Sequence, residues 1–344
     1  MMKPRLYPLY ALLIAPLIFL TGCGKKEGYE VRGGKVFFNR FQGDGLLGKW
    51  RDSEVADAQG FEILQPAGYA KNPTRVFFEG IPMDGADAGT FRLMAELGDL
   101  AKDARQVYWK GRVIEGADAV TFEATEMHGL CRDKSDYYLG PLPLHVRDMA
   151  SFKVLSADAA GKADHIWAHD RHGYYVDTQV TPIADSASFE LLLPCYARDA
   201  RQAYFGSQVI AGADAATFQG IGGENGEFAK DAQQVYWRGQ ALTGSDPKTF
   251  ELLEYRYAKD SKAVYFCYSG GIPPQVFAGA DPGSFKTLGP SSDGFGYAKD
   301  AKQVYYGGNV IAGADATTFT LDKDREYSSD KNRRYHYGEP VAAP

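Results

Sequence analysis

Histidine and cysteine are scarce in this chain, six and four among 344 residues, which leaves few of the usual metal ligands and few thiol nucleophiles. No Gly-x-Ser-x-Gly elbow, Cys-His couple or carboxylate pair stands outside the repeat pattern described below, so no catalytic residue is assigned and no enzyme is expected. Neither an EF-hand nor a glycine-rich nonapeptide spacing gathers carboxylates in one loop, so neither a metal nor another cofactor is expected. A basic stripe is also missing. Without one, phosphate backbones have nothing to bind, and nucleic acid is excluded as a partner. No Pro-, Gly- or Ser-rich linker or block of like charge divides the chain, which favours one continuous array over separate domains.

Leu6 to Leu20 is an apolar run too short to span a bilayer comfortably. It follows a basic start, Lys3 and Arg5, and precedes Leu20-Thr21-Gly22-Cys23, which looks like a bacterial lipobox. Residues 1–22 then read as a lipoprotein signal peptide, 23–28 as a lipidated tether and 29–341 as the working domain. Cys23 is the expected lipidation site, carrying diacylglycerol on its thiol and a further acyl chain, such as palmitate, on its new amino group. Each buried methylene adds about 0.8 kcal/mol, so three chains make a permanent membrane anchor. Gly24 follows where an Asp would resemble an inner-membrane retention signal, which points to the outer membrane of the cell envelope. Removing Lys3 and Arg5 from 38 basic side chains leaves 36 against 44 acidic ones, a net charge of -8. Three cysteines remain, Cys131, Cys195 and Cys267. An odd number in an oxidising compartment is expected to give buried thiols, the alternative being one disulfide with one thiol left over.

The rest of the chain is one phrase repeated, written most clearly from Tyr297 to Leu321. Its template is [YFL]-A-[KR]-D-x-x-x-V-[YF]-[YWF], a Gly-containing turn, then V-I-x-G-A-D-x-x-[TS]-F. Clear copies begin at Leu100, Tyr196, Phe228, Tyr257 and Tyr297, and weaker ones at Tyr69, Leu130 and Trp167. A degenerate copy around Val36 to Phe38, closed by Asp57 and Phe61, precedes them, and a half copy from Tyr327 to Val341 ends the series. Starts are mostly 29 to 32 residues apart. Such a period marks a stacked array, in which a unit buries its apolar face only against its neighbours. Val-Tyr-Tyr and similar triplets have strand composition, and the Asp-x-x-x and Gly turns on either side make antiparallel hairpins. The second recurring Asp (Asp87, Asp118, Asp148, Asp185, Asp214, Asp246, Asp281, Asp315) is followed by Thr or Ser three residues on and Phe four on. It reads as the N-cap of a single helical turn, with Pro247 and Pro282 at the first helical position. The expected fold is mainly β: tandem repeats of about three short strands and a capped turn, stacked as a solenoid-like array or closed as a propeller-like ring.

This phrase resembles the DKNYY repeat family of bacteria. Asp133-Lys134-Ser135-Asp136-Tyr137-Tyr138 nearly spells the family's name, and Tyr297-Ala298-Lys299-Asp300, Val304-Tyr305-Tyr306 and Gly313-Ala314-Asp315 look like its full motif. The resemblance spans nearly all of the mature chain. It implies an exported or surface-attached protein and hands over no catalytic residue.

Three patterns invite chemistry. The recurring carboxylates suggest metal, but Asp300 and Asp315 are separated by a strand and its turn, so capping is the expected role. His165, His169 and His172 form H-x3-H-x2-H, yet on a strand residues four apart lie about 13 Å apart, too far for His165 and His169 to share an ion. The 42 Tyr and Phe and 4 Trp supply a core, and Trp109 and Trp237 are the rings most expected to be exposed. Irregular inserts, Ser156 to Asp164, Tyr268 to Ala278 and Gly289 to Gly296, are expected to carry partner specificity. The functional expectation is a lipid-anchored envelope scaffold or protein-binding surface, with a glycan or cell-wall binder and a toxin-neutralising immunity protein as alternatives.

Overall fold

The computed structural model describes residues 27–42, 49–65, 68–94, 99–127, 129–155, 165–223, 226–268, 271–291, 295–323 and 325–341. The expected signal segment, Cys23 and the part of the expected tether before Glu27 lie outside the described residues, as does the insert Ser156 to Asp164. The described residues form antiparallel sheets in which neighbouring strands are consecutive in the chain. The first is three-stranded: β1 (Gly28–Arg32), β2 (Lys35–Gln42) and β3 (Lys49–Asp57). The nine others have four strands each, and none closes into a barrel. Contacts divide the chain into two compact units at Val113/Ile114. Among the described residues no helix is long and apolar enough to cross a membrane.

Each four-stranded sheet combines the end of one template copy with the start of the next. In the sheet built around Tyr196, Glu190–Leu193 pairs with Tyr196–Arg198, which pairs with Ala203–Phe205, which pairs with the edge strand Gln208–Val209. The expected three strands become four because the residues after the Gly turn, Gln208 and Val209, also enter the ladder. Two inserts turn out to hold parts of this frame. Gln275–Val276 is the edge strand of its sheet, and Gly289 and Pro290 pair with Tyr297 and Gly296. A sheet needs its outer strands whatever the length of loop leading to them.

The core follows the two-residue alternation of a strand. Tyr196 and Ala203 point to one face, and pack with Ile210, Phe218 and, from the following repeat, Ala229 and Tyr236. Phe228, Val235, Trp237 and Phe250 then pack with Ala258 and Tyr265 of the repeat after that. The first unit shows the same joint, in which Tyr69, Val76 and Phe91 meet Ala101 and Tyr108. Thus the first aromatic and the Val of a copy face forward, while its Ala and the next Tyr face back. The Ala is small because a neighbouring ring covers it, and where Cys131 or Ser328 replaces it, burial is complete to within 0% exposure. Rings hand on from copy to copy: Tyr196 to Phe218 at 5.8 Å, and Phe218 to Tyr236 at 5.5 Å.

The turn glycine is required by the same joint. Gly239 has φ +76°, and a Cβ there would lie 2.8 Å from the Cβ of Phe205 in the preceding repeat. Its amide donates to the Tyr196 hydroxyl at 3.0 Å, and that hydroxyl donates to the Glu227 carbonyl at 2.8 Å. One phenol therefore fixes the next hairpin at two points.

Candidate functional site

The recurring polar residues converge on one motif per repeat, seen clearly around Asp231. Its Oδ1 accepts the amides of Gln233 and Gln234 at 2.7 and 2.8 Å, which closes the tight turn. Its Oδ2 accepts the Tyr236 hydroxyl at 2.7 Å and the amide of Asp214 at 2.9 Å. Asp214 in turn caps its own turn: Oδ1 takes the Ala216 amide and Oδ2 the Thr217 hydroxyl. Thr217 Oγ1 then accepts the Ala232 amide beside Asp231. The two aspartate rows, expected as separate caps, form one closed circuit.

Burial pushes the Asp231 carboxyl up, but the Asp214 amide, the Tyr236 hydroxyl and the two turn amides outweigh it and hold the group below the usual carboxylate range. Burial, then the bond to Asp231, raises Tyr236 above an ordinary phenol. Asp103, Asp133, Asp170, Asp199, Asp300 and Asp330 are lowered in the same way, burial opposed by the same kinds of donor. The copy at Tyr69 is informative because it has lost both partners together. Asn72 stands for the Asp and Phe77 for the Tyr, and Asn72 Oδ1 still accepts the Thr74 and Arg75 amides. Where the ring has no hydroxyl, the turn residue has no second carboxylate oxygen.

The Lys or Arg of the template has a structural partner too. Lys299 Nζ reaches the carbonyls of Ala316 and Phe319 at 2.8 and 3.4 Å. Arg198 likewise reaches Ala215, Ala216 and Phe218. In the copies that carry Lys71, Arg198, Lys230, Lys259 and Lys299, Asp thus closes the start of the turn and a cation closes its end, matching charge to the exposed amides and carbonyls.

The histidines are held by different groups. His165 Nδ1 lies 2.7 Å from Asp177 Oδ2, His169 lies on the strand Trp167–Asp170 with its ring 5.6 Å from Tyr174, and the His172 amide donates to Asp170 Oδ1. Among the described residues no group of three or more His, Cys, Asp or Glu is arranged to hold a metal ion. Cys131 and Cys195 are buried and Cys267 half-buried, with no disulfide among the three. Burial raises the Cys131 thiol to about 11.

The aromatic expectation is corrected at one ring. Trp237 is 6% exposed and packs with Phe228 and Phe250 in the joint to the next repeat. Trp109 is half-buried, with the Lys110 ammonium 4.7 Å from its centroid. Two open grooves accompany the frame. One, of about 390 Å³, is lined by Glu123, Met127, Arg132, Tyr137 and Val154; the other, of about 470 Å³, by Leu288, Phe319, Leu321 and Arg325. In the first, Arg132 is bound to Glu123 at 2.6 Å, and Tyr137, standing where the template has Val, stacks on Phe152 at 4.2 Å.

The repeats from Trp167 to Tyr297 each leave one outer-strand residue uncommitted. Val180, Val209, Ala241, Val276 and Val310 lie opposite the buried Tyr175, Tyr204, Tyr236, Tyr265 and Tyr305, and all five are exposed. Ser207 Oγ donates to Gln179 Oε1 of the preceding repeat at 2.7 Å, so these two edge strands lie side by side.

The DKNYY family profile matches residues 100–236, 228–270 and 268–339. The chain belongs to the DKNYY family. Within this DKNYY protein the matched residues run from the Leu100 copy to the final half copy, the part in which the Asp, Tyr and capping-Asp circuit recurs. No curated protein and no solved structure matches the chain.

Proposed function

We propose that this DKNYY protein is a lipid-anchored, non-catalytic envelope protein that works as a scaffold or protein-binding surface. One observation carries the reading: the recurring polar side chains are spent on the frame, while the exposed row Val180, Val209, Ala241, Val276 and Val310 is not. Repeat frames that satisfy their own polar groups and present an ordered apolar row have the anatomy of a binding surface. The address rests on the Leu20-Thr21-Gly22-Cys23 sequence. A glycan binder would use exposed rings in line, and Trp237, one of its two nominated rings, is packed into the core.

The test is capture from detergent-solubilised envelope with the anchor retained, comparing wild type with the Val209→Asp, Val276→Asp double variant. The reading expects one defined protein retained by wild type and lost by a variant whose melting is unchanged. Equal capture by both would remove the row from the account, and turnover of an envelope substrate by purified protein would replace the reading with an enzyme.

A further inference from the structure

The first sheet is built unlike the rest. β2 and β3 are eight and nine residues long, whereas strands elsewhere have two to five. β1 begins at Gly28, opposite Asn39. Beyond that point β2 and β3 continue without it through Arg40 opposite Arg51, Phe41 opposite Trp50 and Gln42 opposite Lys49. The two strands therefore overhang at the end of the sheet where the chain arrives from Cys23. Five residues of chain link Cys23 to Gly28, a reach of at most about 18 Å.

The overhang has the chemistry of a membrane interface. Phe41 is 37% exposed and meets Trp50 edge to face at 5.4 Å. Lys49 and Arg51 are exposed; Arg40 is tied to Glu79 at 2.8 Å. Two arginines directly opposite one another weaken a strand pair, a local cost that the fold of the sheet does not require. The sequence places Lys25 and Lys26 in the adjoining tether; among the described residues at this end Glu27 and Glu79 pair with Arg40, and Asp52, opposite Asn39, pairs with Arg32. At the other end of the sheet Glu54 and Asp57 hold Lys35. In a chain of net negative charge, Lys49 and Arg51, without an ion pair among the described residues, and the partly exposed rings of Phe41 and Trp50 thus stand at the end where the chain arrives from Cys23. Trp at the headgroup level and Lys or Arg over anionic lipid are the side chains a bilayer surface recruits.

We propose that the β2–β3 overhang seats on the bilayer that holds the Cys23 anchor. Phe41 and Trp50 enter the headgroup region while Lys49 and Arg51 meet anionic headgroups. The proposal rests on the lipid-anchored reading above. Its consequence is orientation: a lipid tether alone lets the array swivel, whereas a second contact fixes the first sheet against the membrane.

The experiment uses the full-length protein in phosphatidylcholine vesicles with and without phosphatidylglycerol, their acyl chains bromine-labelled to quench nearby tryptophan. The expected result is quenching in wild type that falls in Trp50→Phe to no more than half-buried Trp109 supplies, because Trp167 and Trp237 are buried. Phosphatidylglycerol should increase the quenching, and the Lys49→Glu, Arg51→Glu double variant should lose that increase. The mass of the N-terminal peptide reports the anchor independently. A lipidated protein whose quenching is absent, or is unchanged in Trp50→Phe, overturns this proposal alone. An unmodified Cys23 overturns both this proposal and the lipid-anchored reading.

Discussion

Replacing Asp231 by Asn is the sharpest probe of the hydrogen-bond circuit, because it alters one oxygen and leaves the shape. Oδ1 can still accept the Gln233 and Gln234 amides. The new amide group takes the place of Oδ2 and points a donor at the Asp214 amide, itself a donor. Leaving a buried N–H unsatisfied costs about 1 to 3 kcal/mol, and bonds to a charged acceptor are each worth more than neutral ones. A loss of about 2 to 4 kcal/mol is expected. Asp214→Asn keeps the oxygen that accepts the Ala216 amide and should cost little, while Asp214→Ala should cost about 0.5 to 2 kcal/mol. Tyr236→Phe added to Asp231→Asn recreates the Asn72 and Phe77 pair, so the double variant should cost much less than the sum of the singles. Urea unfolding followed by amide hydrogen exchange at Asp214 and Gln233 separates local from global opening, which matters in a repeat array. If Asp231→Asn proves as mild as Asp214→Asn, the circuit is wrong. A chelator that lowers the melting point of wild type and not of either variant would make the carboxylates metal ligands instead.

Further expectations follow from the same contacts. Because the turn carboxylates have folded pKa values below their unfolded ones, their contribution is present above about pH 4 and is lost as pH falls through the lowered values; unfolding monitored by circular dichroism between pH 6 and 2 should show a steep acid limit. Tyr69 and Tyr204 are both raised to about 12, chiefly by burial. Their contribution is present below the unfolded value near 10 and lost as pH climbs toward 12, giving a second, alkaline limit in the same assay. Lys299→Met strands the Ala316 and Phe319 carbonyls and should cost about 1 kcal/mol in urea melts, whereas Lys299→Arg should be tolerated, since Arg198 already fills that role elsewhere. Ser328 stands in an Ala position at 0% exposure, with its Oγ lacking a partner among the described residues; Ser328→Ala should stabilise by about 1 kcal/mol. A destabilised Ser328→Ala would mean the hydroxyl is satisfied.

The parts of the fold that were legible in the sequence are local ones. Asp214 caps residues two and three ahead, and Asp231 closes its turn over the same span, so side-chain type and spacing suffice. The hairpins follow from strand composition and turn glycines. The Tyr236 bond to Asp231 was missed although its signal recurs, with Asp and Tyr five residues apart in copy after copy and lost together at Asn72 and Phe77. Lys299 meeting carbonyls 17 and 20 residues on leaves no comparable local trace. Trp237 was misplaced because its cover, Tyr265 and Ala258, comes from the following repeat. Phe41 and Trp50 carry no local mark in the sequence, since only the register Gly28 to Asn39 shows that they overhang at the end of the sheet where β1 begins.

The central claim, that the frame exists to present its outer strands to a protein partner, is met most directly in living cells. A photo-crosslinking amino acid is placed in turn at Val180, Val209, Val276 and Val310, and at the exposed turn residue Gln233 as control. The account predicts an adduct of one mass from successive outer-strand positions and none from Gln233. Adducts of equal yield from Gln233, or none from any outer-strand position, would contradict it.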